Sequence, residues 1–119
     1  MPSIVGTWKL VDATARDAAG TARPSPYGGN ALGRVTFTAD GRMMSVVCDG
    51  RPELPVGASR EYSSYCGNYT YDGTRLVTRV DAASPQIRTV SAAIRCAGCA
   101  LRASVWFQLY ADLLAFIKS

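Results

Sequence analysis

The sequence predicts a mainly β protein built from antiparallel strands, and three observations carry this prediction. Short segments of alternating apolar and polar residues recur through the first two thirds of the 119-residue chain. Turn-forming residues separate these segments roughly every 8 to 12 residues, a spacing typical of barrels and sandwiches. Apolar residues make up 48% of the chain and charged residues 18%, so the composition supports a packed core. We therefore expect a single domain over residues 1–119.

Two hairpins are predicted within this β region. Asp40-Gly41 and Asp72-Gly73 each stand between alternating segments, where glycine adopts the positive φ that a tight turn needs. Longer irregular loops, containing proline, precede the first hairpin and separate it from the second. The predicted strands share β-branched or aromatic residues at alternate positions, and they cover residues 4–11, 34–38, 42–48, 62–71 and 74–81.

The last third of the chain carries mixed signals. Residues 86–94 contain β-branched residues followed by alanines, so strand and helix both stay open there. Residues 103–118 predict a C-terminal helix, because their apolar residues recur at i, i+4 and i+8. Such a helix would be apolar on nearly every side, which implies burial against several neighbours. We therefore predict a homo-oligomer whose subunits associate through this C-terminal segment, called the tail below.

Composition excludes several classes of chemistry. Histidine is absent, which excludes Ser-His-Asp and Cys-His nucleophiles as well as imidazole-dependent metal sites. The net charge of +4 comes from arginines scattered along the chain rather than from a basic patch with aromatic residues, so we expect no nucleic-acid partner. The N-terminus lacks the pattern of a signal peptide, and the longest apolar run is shorter than the roughly 20 residues of a membrane helix. A cytoplasmic protein with no membrane partner is expected.

Cys96-Ala97-Gly98-Cys99 is the sharpest chemical motif in the sequence. A CxxC is typical of a redox pair or of half a zinc site. The βαβ pattern of a thioredoxin-type site is missing, and Cys48 and Cys66 do not form a second CxxC. We therefore predict structural thiols, with no metal and no cofactor.

A dense group of tyrosines supplies the candidate binding residues. Tyr65, Tyr69 and Tyr71 share strand parity, so their hydroxyl groups could line a cavity and orient a ligand, or the rings could simply fill a β face. Arg79 lies on one parity of the next predicted strand. It would favour an anionic ligand if that face is inside, and it would be solvated if that face is outside.

Three segments, taken in order, resemble a known family. They are Gly6-Thr7-Trp8-Lys9-Leu10, the stretch from Gly33 to Met43, and the stretch from Tyr65 to Gly73. Over residues 4–82 this order resembles the bacterial and fungal lipocalin-like domain family, which consists of small calycin-type β-barrels. The resemblance implies an up-and-down antiparallel barrel whose interior holds a small apolar ligand and whose closed end is covered by Trp8. Residues 86–119 depart from the family pattern.

The resemblance makes a lipocalin-like small-molecule-binding protein the leading functional prediction, with an apolar or aromatic ligand. Two alternatives stay open: a small barrel isomerase or cyclase that acts on a metabolite through a tyrosine or an arginine, and a non-catalytic oligomeric interaction protein. No catalytic residue is assigned. The candidate ligand-binding residues are Trp8, Tyr65, Tyr69, Tyr71 and Arg79.

Overall fold

The computed structural model describes residues 4–17, 19–23, 27, 30–57, 59–83, 89–97, 99–107 and 110–118. Within these residues the chain forms nine strands and no helix. The strands are β1 (Gly6–Asp17), β2 (Ala22–Arg23), β3 (Ala31–Phe37), β4 (Arg42–Asp49), β5 (Tyr62–Tyr71), β6 (Arg75–Ala83), β7 (Thr89–Ala97), β8 (Ala100–Phe107) and β9 (Tyr110–Lys118).

The strands form one antiparallel sheet that closes on itself. From β3 to β9 each strand pairs with the next one along the chain, and β1 pairs with both β3 and β9. The result is an eight-stranded up-and-down barrel, with the two-residue β2 paired to the end of β1. The predicted antiparallel barrel is confirmed.

Alternation of side chains accounts for the strands, as β4 illustrates. Met43 and Val47 are buried in the barrel interior, whereas Met44 and Val46 between them are 57% and 42% exposed. Successive side chains of a strand point to opposite faces, so this period of two fixes which set faces the core. The predicted strand at residues 62–71 coincides with β5, and the one at 42–48 ends one residue short of β4.

The two predicted hairpin turns are also confirmed. Gly41 and Gly73 adopt φ angles of 90° and 104°, which are favourable for glycine. The Asp72 carboxylate accepts hydrogen bonds from the backbone amides of Arg75 at 2.7 Å and Thr74 at 2.9 Å. These amide donors stabilise the charged carboxylate and lower the pKa of Asp72.

The predicted C-terminal helix over residues 103–118 is wrong. This segment forms most of β8 and all of β9, and β9 pairs with β1 at nine positions. A spacing of four residues fits one face of a helix, but it is also twice the period of a strand. Pairing with both β8 and β1 decides between the two, because it satisfies the backbone of β9 on both sides and closes the barrel.

The barrel has two unlike ends. The tight turns after β3, β5 and β7 lie at one end together with the start of β1, and we call this the turn end. The ends of β4 and β6 and the long loop after β4 lie at the other end, which we call the loop end. No helix in the described part of the chain is long and apolar enough to cross a membrane. Self-association through the tail stays a prediction.

Candidate functional site

A buried tryptophan closes the turn end. Trp8 is fully buried and donates a hydrogen bond from Nε1 to the Ile4 carbonyl oxygen at 2.9 Å. The Nζ atom of Lys118 lies 4.6 Å from the centroid of the Trp8 ring system, within cation–π distance. Gly6 has a φ of 132°, and a Cβ atom there would lie 2.6 Å from Lys118 Nζ. The glycine therefore lets the start of β1 and the end of β9 meet over the tryptophan.

Two of the candidate tyrosines complete the packing at the turn end. Tyr69 contacts Phe37 edge to face, with ring centroids 5.2 Å apart, and its hydroxyl donates to the Thr38 carbonyl oxygen at 2.9 Å. The Tyr71 hydroxyl donates to the Gly73 carbonyl oxygen at 2.9 Å. Burial raises the pKa of both phenols. These hydroxyl groups hold the hairpin turns in place, so both tyrosines have a structural role at this end.

A small cavity lies inside the barrel. It encloses about 30 Å³, which is room for one or two water molecules. Apolar side chains such as Phe37, Leu101 and Phe116 make up most of its wall. Ser45 and Tyr65 supply its polar side chains.

The Ser45–Tyr65 pair is the polar feature of the cavity. The two residues are directly opposite in the pairing of β4 with β5, and their side chains are hydrogen-bonded to each other. Burial raises the pKa of Tyr65 to about 12, because the loss of hydration penalises the phenolate more than the Ser45 hydrogen bond stabilises it. At neutral pH Tyr65 is therefore a neutral hydroxyl that can donate a hydrogen bond.

Thr78 is a second buried polar group that the sequence analysis did not single out. Its side chain is fully buried, and Oγ1 has no hydrogen-bond partner among the described residues. Thr78 lies on β6, opposite Tyr69 of β5 and Val90 of β7. The sequence could have indicated both Thr78 and Ser45, because each is a hydroxyl residue at an inward position of a strand with alternating apolar residues.

On β1 and β3, side chains facing inward near the loop end are smaller than those near the turn end. Ala13 and Ala15 take this position on β1, and Ala31 and Gly33 take it on β3. Near the turn end the same two strands contribute Trp8, Leu10 and Phe37 instead. Room for a guest molecule is therefore easier to create toward the loop end.

A buried ion pair anchors the loop after β4 at the loop end. The Asp49 carboxylate is buried and accepts hydrogen bonds from Arg51 Nε and Nη2 at 2.5 to 3.0 Å. The Arg51 hydrogen bonds lower the pKa of Asp49. Arg60 donates from Nη1 to the carbonyl oxygens of Asp49 at 2.8 Å and Arg51 at 2.7 Å. Both ends of the loop are thereby tied to the rim of the barrel.

Arg79 is the candidate residue that the structure places elsewhere. Its side chain is exposed on the outer face of β6, opposite the exposed Asn68 of β5. Tyr65 therefore lies at the interior cavity, Trp8, Tyr69 and Tyr71 pack near the turn end, and Arg79 is outside the barrel. That any of them contacts a ligand stays a prediction.

The four cysteines are free and are not brought together. Cys48 and Cys66 lie on the outer faces of β4 and β5, Cys96 faces the interior, and Cys99 is exposed at the turn after β7. Among the described residues no group of three or more cysteine, aspartate or glutamate side chains could hold a metal ion.

Comparison with known proteins agrees with this architecture. Residues 5–96 match the family model of the lipocalin-like domain, which extends the resemblance beyond residue 82 and into β7. No curated protein and no solved structure matches the chain. The family match covers more than half of the sequence, and the closed antiparallel barrel is of the calycin type. The chain belongs to the lipocalin-like domain family.

Proposed function

We propose that this protein binds a small apolar or aromatic molecule inside the barrel and that Tyr65 donates a hydrogen bond to it. The observation that carries the proposal is the Ser45–Tyr65 pair, which places two hydroxyl groups at the wall of an otherwise apolar cavity. Such an arrangement is typical of ligand sites, where apolar walls supply affinity and a few polar groups fix orientation. The lipocalin-like barrel supports small-molecule binding in general.

Binding requires the interior to enlarge. Pockets for small ligands usually measure about 300 to 1,000 Å³, whereas the interior cavity encloses about 30 Å³. The loop end is the favourable place for this change, because the inward residues of β1 and β3 are small there. A ligand that enters there displaces side chains near Ala13 and Ala31 and reaches Tyr65, while the large residues at the turn end stay in place.

The chemistry of Tyr65 favours binding over catalysis. Its raised pKa, about 12, makes the phenol a weak acid and leaves almost no phenolate at neutral pH. Burial causes the upward shift of this pKa and the Ser45 hydrogen bond offsets part of it, with no contribution from a charged neighbour. A neutral hydroxyl in this setting is suited to hold a carbonyl or hydroxyl oxygen of a ligand.

Fluorescence titration with prodan, a neutral naphthalene ketone whose emission depends on polarity, tests the proposal. We expect saturable binding with blue-shifted emission. Ala13→Leu fills the loop end and should weaken binding at least about tenfold, because the ligand and the new side chain compete for the same space. Tyr65→Phe should weaken it several-fold through loss of the hydrogen bond to the ketone.

Ala82→Leu is the matched control, since Ala82 is exposed on the outer face of β6 and the substitution adds the same atoms outside the barrel. Near-ultraviolet circular dichroism of each variant establishes that the barrel is intact. Absence of saturable binding would contradict the proposal. Equal affinities of the Ala13→Leu and Ala82→Leu variants would also contradict it, because only the leucine at position 13 occupies space inside the barrel that the ligand needs.

A further inference from the structure

A larger concave surface lies outside the barrel. It runs across the outer faces of β7, β8, β9 and β1, and Thr74 borders it. This outer groove encloses about 470 Å³, within the usual size of small-molecule sites.

Strand pairing builds the outer groove from two rows of side chains. Arg95 of β7 is directly opposite Arg102 of β8, which is opposite Ala115 of β9, which is opposite Asp12 of β1. The neighbouring row has small or apolar residues at its corresponding positions. In the same strand order they are Ala93, Ser104, Leu113 and Thr14.

The two arginines face each other without a counter-ion. Both are exposed, and neither has an ion pair or a hydrogen bond with another described residue. Like charges directly opposite on neighbouring strands repel each other. Asp12 lies two strands from Arg102, roughly 10 Å away along the sheet, and forms no ion pair with either arginine within the described structure.

We propose that the outer groove binds a small organic anion in which a carboxylate or phosphate group is attached to a compact apolar body. The anionic group lies between the guanidinium groups of Arg95 and Arg102, which match the paired oxygens of such a group. Its charge removes the repulsion between the two arginines. The apolar body lies over Ala115 and Leu113, both half-buried, on the adjacent strand.

Asp12 determines how a ligand is oriented in the outer groove. The carboxylate stands at the opposite side of the outer groove from the arginine pair. It repels a second negative charge on the far side of the ligand, and it can accept a hydrogen bond from a hydroxyl or ammonium group there. The outer groove therefore selects ligands that are anionic at one end. This site is separate from the interior cavity, so neither proposal depends on the other.

Nuclear magnetic resonance titration of the ¹⁵N-labelled full chain tests the proposal, with phenyl phosphate and benzoate as probes and phenol as the neutral comparison. We expect saturable shifts of the amide signals of Arg95, Arg102 and Ala115 with both anions and much smaller shifts with phenol. Arg95→Gln and Arg102→Gln should each weaken binding at least about tenfold, since each removes charge-assisted hydrogen bonds.

Arg34→Gln is the matched control, because Arg34 is exposed on the outer face of β3 and its guanidinium contacts the adjacent Gly33 carbonyl oxygen. This substitution removes the same charge from another part of the barrel and should leave the affinity unchanged. Equal weakening by Arg34→Gln and Arg102→Gln would overturn the proposal, since it would reveal general attraction to net charge. Shifts that map to residues outside the outer groove would overturn it as well.

The selectivity assigned to Asp12 has its own test. Terephthalate carries a second carboxylate opposite the first, so it should bind more weakly than benzoate. Asp12→Asn should reduce that difference at least several-fold without weakening benzoate. Tighter binding of terephthalate than of benzoate to the unmodified protein would contradict the orientation proposed here.

Discussion

The turn end and the loop end of the barrel are built from the same strands, but on β1 and β3 they differ in the size of their inward side chains. On β1 the inward residue near the turn end is Trp8, and near the loop end it is Ala15. On β3 the corresponding residues are Phe37 and Ala31. A close-packed aromatic end gives the barrel its stability, whereas an end lined by small residues can rearrange at a lower cost. Under the proposed function, the turn end therefore supplies stability and the loop end supplies the binding site.

The hydroxyl groups of the interior also differ in their hydrogen-bond partners. The hydroxyl groups of Tyr69 and Tyr71 near the turn end are bonded to backbone carbonyl oxygens, so they support the turns. The Tyr65 hydroxyl has no backbone partner within the described part of the chain and lies at the cavity beside Ser45. The buried hydroxyl of Thr78 differs from all three, because it has no hydrogen-bond partner among the described residues.

Trp8→Ala should produce the largest effect, because it removes the central side chain of the turn end. We expect the free energy of unfolding to fall by about 3–5 kcal/mol, as for other aromatic-to-alanine changes in cores. Urea unfolding followed by circular dichroism measures this. Leu32→Ala, at an exposed outer position of β3, is the control and should change stability little. A cost below about 1 kcal/mol for Trp8→Ala would remove the distinction between the ends.

Alkaline pH should weaken the barrel through Tyr65. The folded-state pKa of about 12 lies above the ordinary value near 10, so the unfolded chain loses this proton first. The stabilisation is therefore complete below pH 10 and is lost as the pH rises toward 12, by up to about 2 kcal/mol. Comparison of unfolding free energies at pH 9 and pH 11.5 measures it.

Tyr65→Phe should flatten this alkaline dependence, because phenylalanine has no proton to lose. Tyr62→Phe is the matched control, since Tyr62 is 62% exposed on the same strand. If the two variants showed the same pH dependence, Tyr65 would not be the desolvated phenol of the interior.

Thr78→Val should increase stability by about 1 kcal/mol. Valine has nearly the shape of threonine, and the change removes a buried hydroxyl that has no partner within the described structure. Thermal unfolding of the variant and of Thr70→Val, at an exposed position on β5, provides the comparison. A clear loss of stability in Thr78→Val alone would mean that the Thr78 hydroxyl already has a hydrogen-bond partner.

Ala31→Val should have the smallest effect, because the added methyl groups enter the less crowded loop end. We expect a change in unfolding free energy of less than about 0.5 kcal/mol, whereas overpacking a tight core typically costs about 1–3 kcal/mol. Ala103→Val, at a buried position of β8 that lines the cavity, is the comparison and should cost more. Equal costs would show that the loop end is packed as tightly as the middle of the barrel.

The sequence by itself determined the features that depend on local chemistry. Alternation predicted the strands at residues 42–48 and 62–71, and Asp-Gly pairs predicted both hairpins, because glycine tolerates the positive φ of the turn. The order of the family-like segments determined the barrel class, and the absence of histidine excluded whole classes of catalysis.

Tertiary structure decided what depends on contacts between distant strands. The spacing of apolar residues in 103–118 fits helix and strand alike, and pairing of β9 with β1 selected the strand. Closure also decided that Tyr65 lies inside and Arg79 outside, since parity separates two faces without saying which one is buried. The register of β7 with β8 placed Arg95 opposite Arg102. The sequence of a single segment cannot determine these features, because each depends on how the sheet closes and on which of its faces loses contact with water.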